Sequence, residues 1–403
     1  MKPFSSHQRG WPGRGWLRTF GLSLLAALSI LACGGGSDVA GVGSGGTGSF
    51  SVGTITGFGS VFVNGLRYDD ASAIVSDEDG PRNRADLRLG MVVTVQGSVN
   101  TSGTPTASSI VFDSELLGPV DAGSVNPGSK TFTVLGQTVI VTAGTAFDTR
   151  LPVGWSSVRP GQVLEVHGYV NPLANELQAS LISLASGSGK YKISGAVGNL
   201  QTGARSFRVG ATTLSYAGLD GAGVPPGLAD GAFVKVRLTT GAPDASGARQ
   251  ASGLRLNSTG IADQPNAEVQ GLITSFTSAS RFTVGTIPVD ARNAGFPQGT
   301  AALGLGTRVE VKGAVAAGTL LATQVKLDDP KAEARIELNG AVSALDNAAK
   351  TFVLRGVTVS YAGAVQYKKG GQTDLRDGAK VEVKGQLLPD SAIVSASQIE
   401  FDD

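Results

Sequence analysis

The chain has 403 residues, 58 of them glycine, with 16% charged residues and a formal net charge of +1. Setting aside Lys2, Arg9, Arg14 and Arg18 near the N-terminus leaves 29 basic against 32 acidic residues, a faintly acidic body with no basic stripe, which excludes an electrostatic footprint for nucleic acid. One cysteine excludes an intramolecular disulfide, and a Gly-, Val- and Thr-rich composition without long Glu/Lys/Leu stretches predicts an all-β fold.

Residues 1–32 have a targeting layout. Arg9, Arg14 and Arg18 form a basic region, and Gly21 to Ala32 is an apolar run too short to span a bilayer as a helix. Ser29-Ile30-Leu31-Ala32-Cys33 resembles a bacterial lipobox, in which the cysteine becomes the acylated first residue. The resemblance implies a lipoprotein signal peptide over 1–32 and lipidation of Cys33. Gly34 after the cysteine resembles outer-membrane lipoproteins, which implies an envelope location facing the periplasm or the cell surface. Residues 33–48 are Gly/Ser-rich and are expected to form a flexible tether, since such a segment buries too little apolar surface to order itself.

Beyond the tether one grammar returns five times at intervals of roughly 70–75 residues. Its centre is Gly-x-x-Val-x-Val-x-Gly, starting at Gly90, Gly161, Gly231, Gly306 and Gly378. A Phe-centred strand precedes it, anchored on Phe62, Phe132, Phe207, Phe282 and Phe352. A strand with Ala three residues before an aliphatic follows it, as in Ala107/Ile110 and Ala322/Val325. The predicted modules are 49–115, 116–186, 190–258, 267–328 and 335–403. Each begins with a glycine-bearing strand (Gly53, Gly118, Gly195, Gly271 or Gly340) and continues through the Phe strand, a third apolar stretch, a variable loop, the Val-x-Val-x-Gly strand and a closing strand. Five strands with period-2 patterning predict a small barrel, with the glycine ending the fourth strand serving as a corner or bulge. Module three departs from the pattern: Leu238 replaces that glycine, which predicts a longer or differently bent hairpin.

The pattern Phe-x-Val-x-Gly, Gly-x-x-Val-x-Val-x-Gly, Ala-x-x-Ile resembles the bacterial domain of unknown function 5666. This resemblance covers about residues 50–403 and implies OB-like barrels in tandem, as found in envelope lipoproteins. Its motifs are hydrophobic and glycine positions, so no catalytic residue carries over.

The search for chemistry yields few candidates. His167 alternates with Leu164 and Val166 along the fourth strand of module two and is expected to point to solvent. The loop of module one carries Asp77, Glu78 and Asp79, weak candidates for Ca²⁺ through Asp77 and Asp79. The loop lacks the EF-hand spacing, and Arg82, Arg84 and Arg88 stand nearby as counter-charges, so the plainer expectation is a solvated acidic loop. Trp155 is a weak ligand-binding candidate, against the plainer reading of a cap over its own barrel. The glycine motifs end strands and open no helix, so they do not cradle phosphate. No cofactor is expected. The reading is a non-enzymatic, membrane-anchored envelope lipoprotein of five tandem OB-like barrels that binds a protein or glycan or acts as a spacer. The alternative is a glycan-processing or Ca²⁺-dependent enzyme using the acidic loop of module one.

Overall fold

Each of the five repeats closes a ring of strand pairings, and in the computed structural model these rings are all-β. The model describes residues 47–99, 104–187, 189–257, 261–329 and 334–402. The leader 1–32, with Cys33 and most of the tether, lies outside them. The first strand begins at Thr47, inside the predicted tether. Among the described residues there is no α-helix, only short 3₁₀ turns at Arg84–Asp86, Gly154–Ser157 and Gln372–Asp374.

Module four shows the ring plainly. Its five strands are Gln264–Ser278, Arg281–Val284, Ile287–Asp290, Arg308–Ala316 and Thr319–Leu327. The first pairs antiparallel with the second, and the second with the third. The third then runs parallel to the fifth, the fifth antiparallel to the fourth, and the fourth returns to the first. Modules three and five repeat this order. Modules one and two repeat it with one link each reduced to a single bridge, Asp69 to Thr106 and Val120 to Val134. The period-2 alternation of apolar residues sends one face of every strand into its ring. Val93, Val95, Leu164, Val166, Val234, Val236, Val309, Val311, Val381 and Val383 are all buried.

Local chemistry fixes the second hairpin of each module. Asn64-Gly65, Leu135-Gly136 and Arg355-Gly356 have positive φ at both residues, the type I′ pattern. Gly210 and Gly285 have it at the first turn residue alone, as a type II′ turn requires. These turns set the register and correct one sequence anchor. Val61, not Phe62, occupies the place of Phe132, Phe207, Phe282 and Phe352: Val61 is fully buried, whereas Phe62 faces the other way under the Arg67 guanidinium, 5.9 Å from the ring centre. A one-residue slip in a strand exchanges its faces.

The fourth and fifth strands share one device. Their register slips at Gln96/Gly97, His167/Gly168, Arg237/Leu238, Lys312/Gly313 and Lys384/Gly385. The bulged residue opposite is Ser108, Ser180, Ser252, Thr323 or Ser397. In three copies its hydroxyl donates to the carbonyl of the residue before the glycine, at 3.0 Å from Ser108 and Ser397 and 3.1 Å from Thr323. A Cβ at Gly313 would lie 2.1 Å from the Leu321 carbonyl oxygen, so the backbones approach too closely for a side chain. Leu238 keeps the same bulge with its side chain buried, and the predicted difference reduces to the longer connection from Thr239 to Arg249.

The picture of separate barrels strung in series is corrected by pairings between modules. In module one, Ser49–Val52 runs parallel to Asn266–Val269 of module four, and Gly57–Phe58 runs parallel to Glu337–Leu338 of module five. In module two, Leu116–Leu117 pairs antiparallel with Lys192–Ile193 of module three. Modules one, four and five therefore share one sheet system, and modules two and three another.

Candidate functional site

The acidic loop of module one folds as a tight hairpin, Ile74–Asp77 and Gly80–Arg82, with Glu78 and Asp79 at its tip. Asp77 accepts the Asp79 amide at 2.8 Å and the Arg82 guanidinium at 2.6 Å, which stiffens the tip. The hairpin points into module three. Glu78, whose side chain is 4% exposed, meets Lys192 at 2.5 Å and Arg255 at 2.9 Å. Asp79 bonds Lys190 and, at 2.8 Å, Arg237. The linker from module one to module two supplies two further acids. Asp113 binds Lys192 at 2.7 Å, Lys235 at 2.9 Å and also Arg255, and Glu115 binds Lys235 at 2.8 Å. The cations stand on the outward positions of the first, fourth and fifth strands of module three.

The electrostatics follow from this pairing. Burial alone would raise the Asp113 carboxyl, but Lys235 and Lys192 outweigh it and hold it well below the usual carboxylate range. Burial would lower the Lys235 ammonium, but Glu115 and Asp113 reverse that and raise it. The bond from Lys190 lowers Asp79. Lys192 also donates to the Ser114 hydroxyl at 3.0 Å, a contact reminiscent of a serine–lysine nucleophile pair. An ammonium committed to two carboxylates offers that hydroxyl a donor and not a base. The cluster separates two clefts of about 610 and 490 Å³. Asp148, Arg150 and Glu165 line the first, and Val52, Phe112 and Phe233 line the second.

A second polar junction joins modules one, two and four. Thr54 donates its hydroxyl to Tyr169 Oη at 2.8 Å, and Tyr169 donates to Gln270 Oε1 at 2.8 Å. Gln270 Nε2 reaches Asp328 at 2.9 Å, and Asp328 holds Arg308 at 2.5 Å. The Arg308 guanidinium lies 4.2 Å from the centre of the Tyr169 ring. Burial raises both the Tyr169 hydroxyl and the Asp328 carboxyl, the latter against the pull of Arg308.

The structure moves each residue singled out in the sequence. His167 does leave the core of its own barrel, as alternation predicts, but it is 1% exposed because the end of module one covers it. Its Nδ1–H donates to the Asp113 carbonyl at 3.1 Å, Phe112 packs 6.5 Å away, and burial lowers its pKa. Asp77 and Asp79 pair with Arg82, Lys190 and Arg237, and no group of three or more metal-binding side chains occurs among the described residues. Trp155 is buried on Phe132, ring centres 6.1 Å apart, as part of the core of its own module. Lys192, Lys235 and Arg255 were missed. Their signal was the excess of cations on the outward positions of module three, opposite in sign to the tip of module one.

A family model described as "Domain of unknown function (DUF5666)" matches residues 51–111, 118–183, 270–326 and 339–400. Module three, which has the same ring, lies outside these matches. No curated protein matches. Among solved structures, a chain described as "drosophila Unr CSD456" matches with 16% identity, 54% of this chain and 99% of that chain covered, and a TM-score of 0.13; so weak a superposition carries no argument.

Proposed function

The chain belongs to the DUF5666 family, and we propose that it is a non-catalytic envelope lipoprotein, a rigid binding scaffold of five OB-like barrels held at the membrane by an acylated Cys33. The order of pairing, with the third strand parallel to the fifth and the fourth returning to the first, supports the OB-like description of each ring. The observation that carries the reading is the ion cluster of Glu78, Asp113, Lys192 and Lys235. The charged side chains that a catalytic site would need are spent on each other at a junction between modules. Breaking such a buried pair by removing one partner costs about 3–5 kcal/mol, so these contacts hold module three against module one and the segment that follows it. A locked body on a lipid tether presents several unlike surfaces at fixed spacing, which is useful to a binder.

Fractionation of the full chain and its Cys33→Ser variant tests the anchor. The wild type should enter the detergent phase and the variant should be released; unchanged partitioning would refute the lipoprotein reading. Limited proteolysis tests the rigid body. Cleavage should concentrate before residue 47, and a ladder of single modules would refute it.

A further inference from the structure

One module lacks a piece that its siblings have. In modules one and five the second half of the fifth strand is covered by an extra parallel strand, and in module two by the end of the third strand, which continues past a register shift. Ile74–Ser76 lies on Ser109–Val111, Ala146–Phe147 on Leu181–Ile182, and Gln366–Lys368 on Gln398–Glu400. In module four Gly295 does the same work, its amide bonding the Thr323 carbonyl and its carbonyl accepting the Val325 amide, both at 2.9 Å. In module three the fifth strand, Arg249–Leu256, pairs on that side through Arg249 and Gln250 alone, among the described residues. Register with the fourth strand places Leu254 where Val325 stands, since Val236 faces Leu254 as Val311 faces Val325. The Leu254 amide and the Ser252 carbonyl therefore point to an unpaired edge. The side chains agree. Ile110, Ile182 and Ile399 are 0% exposed and Val325 is 2% exposed, whereas Leu254 is only partly buried. Residues 217–232, which run past this edge, contain Pro225-Pro226 and five glycines, a composition that resists strand formation.

We infer that this edge is a docking site for an extended segment of a partner protein, which adds in parallel as a sixth strand of module three. The segments that fill the equivalent places specify it. Opposite the aliphatic residue they carry Val75, Phe147 and Tyr367. Arg255, one position beyond Leu254, is already held by Glu78 and Asp113, so the apolar residue defines the partner strand: a bulky side chain that covers Leu254. Main-chain bonds supply affinity and the apolar residue supplies specificity. The inference rests on the binding reading above and names the kind of partner.

Two measurements test it on the full chain. In hydrogen exchange, the Leu254 amide should exchange at least about 100-fold faster than those of Ile110, Val325 and Ile399. Equal protection would overturn the open edge without touching the anchor or the rigid body. A labelled peptide copying residues 72–77 should bind saturably and slow exchange at Leu254, while a copy with Val75→Asp should not bind. Leu254→Asp in the chain should abolish binding and leave the exchange pattern of the other modules unchanged. A peptide that fails to bind an exposed edge at millimolar concentration would overturn the docking site. A concentration-dependent dimer lost on Leu254→Asp would overturn the choice of partner in favour of a second copy.

Discussion

Replacing Asp113 by Asn keeps the shape of the central side chain and removes its charge. In the wild type its carboxylate faces three cations, Lys192, Lys235 and Arg255. The variant leaves these cations one carboxylate short at a largely buried junction. Removing one partner of a buried ion pair costs about 3–5 kcal/mol. Lys192 keeps Glu78 at 2.5 Å and Lys235 keeps Glu115 at 2.8 Å, so the loss belongs near the lower end, about 3 kcal/mol. Unfolding entropy near 2.1 cal/mol/K per residue makes this a fall of about 4 °C in Tm for a body of this size melting as one unit. The sign of the pH dependence is fixed by the depressed carboxyl. Its contribution is full above the unfolded value of about 3.9 and is lost as pH falls through the lower folded value. Urea unfolding at pH 7 should show the full difference between wild type and Asp113→Asn, and the two should converge in strong acid. A difference below about 0.5 kcal/mol at pH 7, the range of an ordinary surface change, would refute the view that this cluster joins the modules.

Glu268 gives the opposite pH dependence. Burial raises its carboxyl to about 7 despite Lys312 at 3.1 Å, so its contribution is present below about pH 4.5 and lost as pH rises through about 7. Glu268→Gln should remove about 3 kcal/mol of that alkaline loss, read by urea unfolding as a smaller fall in stability between pH 5 and 8 than the wild type shows. Tyr169→Phe removes the hydroxyl that bridges Thr54 and Gln270 at a buried junction and should cost about 1–3 kcal/mol in chemical denaturation. Gly313→Ala and Leu238→Ala change equivalent positions and should both destabilise. The first forces a Cβ onto the Leu321 carbonyl, at about 2–3 kcal/mol, and the second empties a filled core position, at about 2–5 kcal/mol. Differential scanning calorimetry of the pair checks both.

Much of the module was legible because its rules are local. Glycine and valine spacing gave the fourth strand. The recurring Ser or Thr after Ala, at 108, 180, 252, 323 and 397, is the bulge residue and was visible in the sequence as well. Phe62 misled because aromatic identity was followed instead of distance from the Asn64-Gly65 turn. The junctions were not legible. Alternation says that His167 and Lys192 leave their own barrels, but only the fold says that another module covers them. Ion pairs such as Glu78 with Lys192 link residues more than a hundred positions apart, and no periodic pattern carries that information.

The strand Thr47–Phe58 has a consequence for descent as well as for stability. In ordinary stacked arrays each repeat touches its neighbours alone, so copies are gained and lost freely as genes recombine. Here the first copy pairs with the fourth and the fifth, and its hairpin tip is paired with the third. An unequal crossover that dropped or added an internal copy would leave these partners out of reach. The first strand thus ties its own copy to two that are far from it in sequence, and loss of either would expose backbone that is now paired.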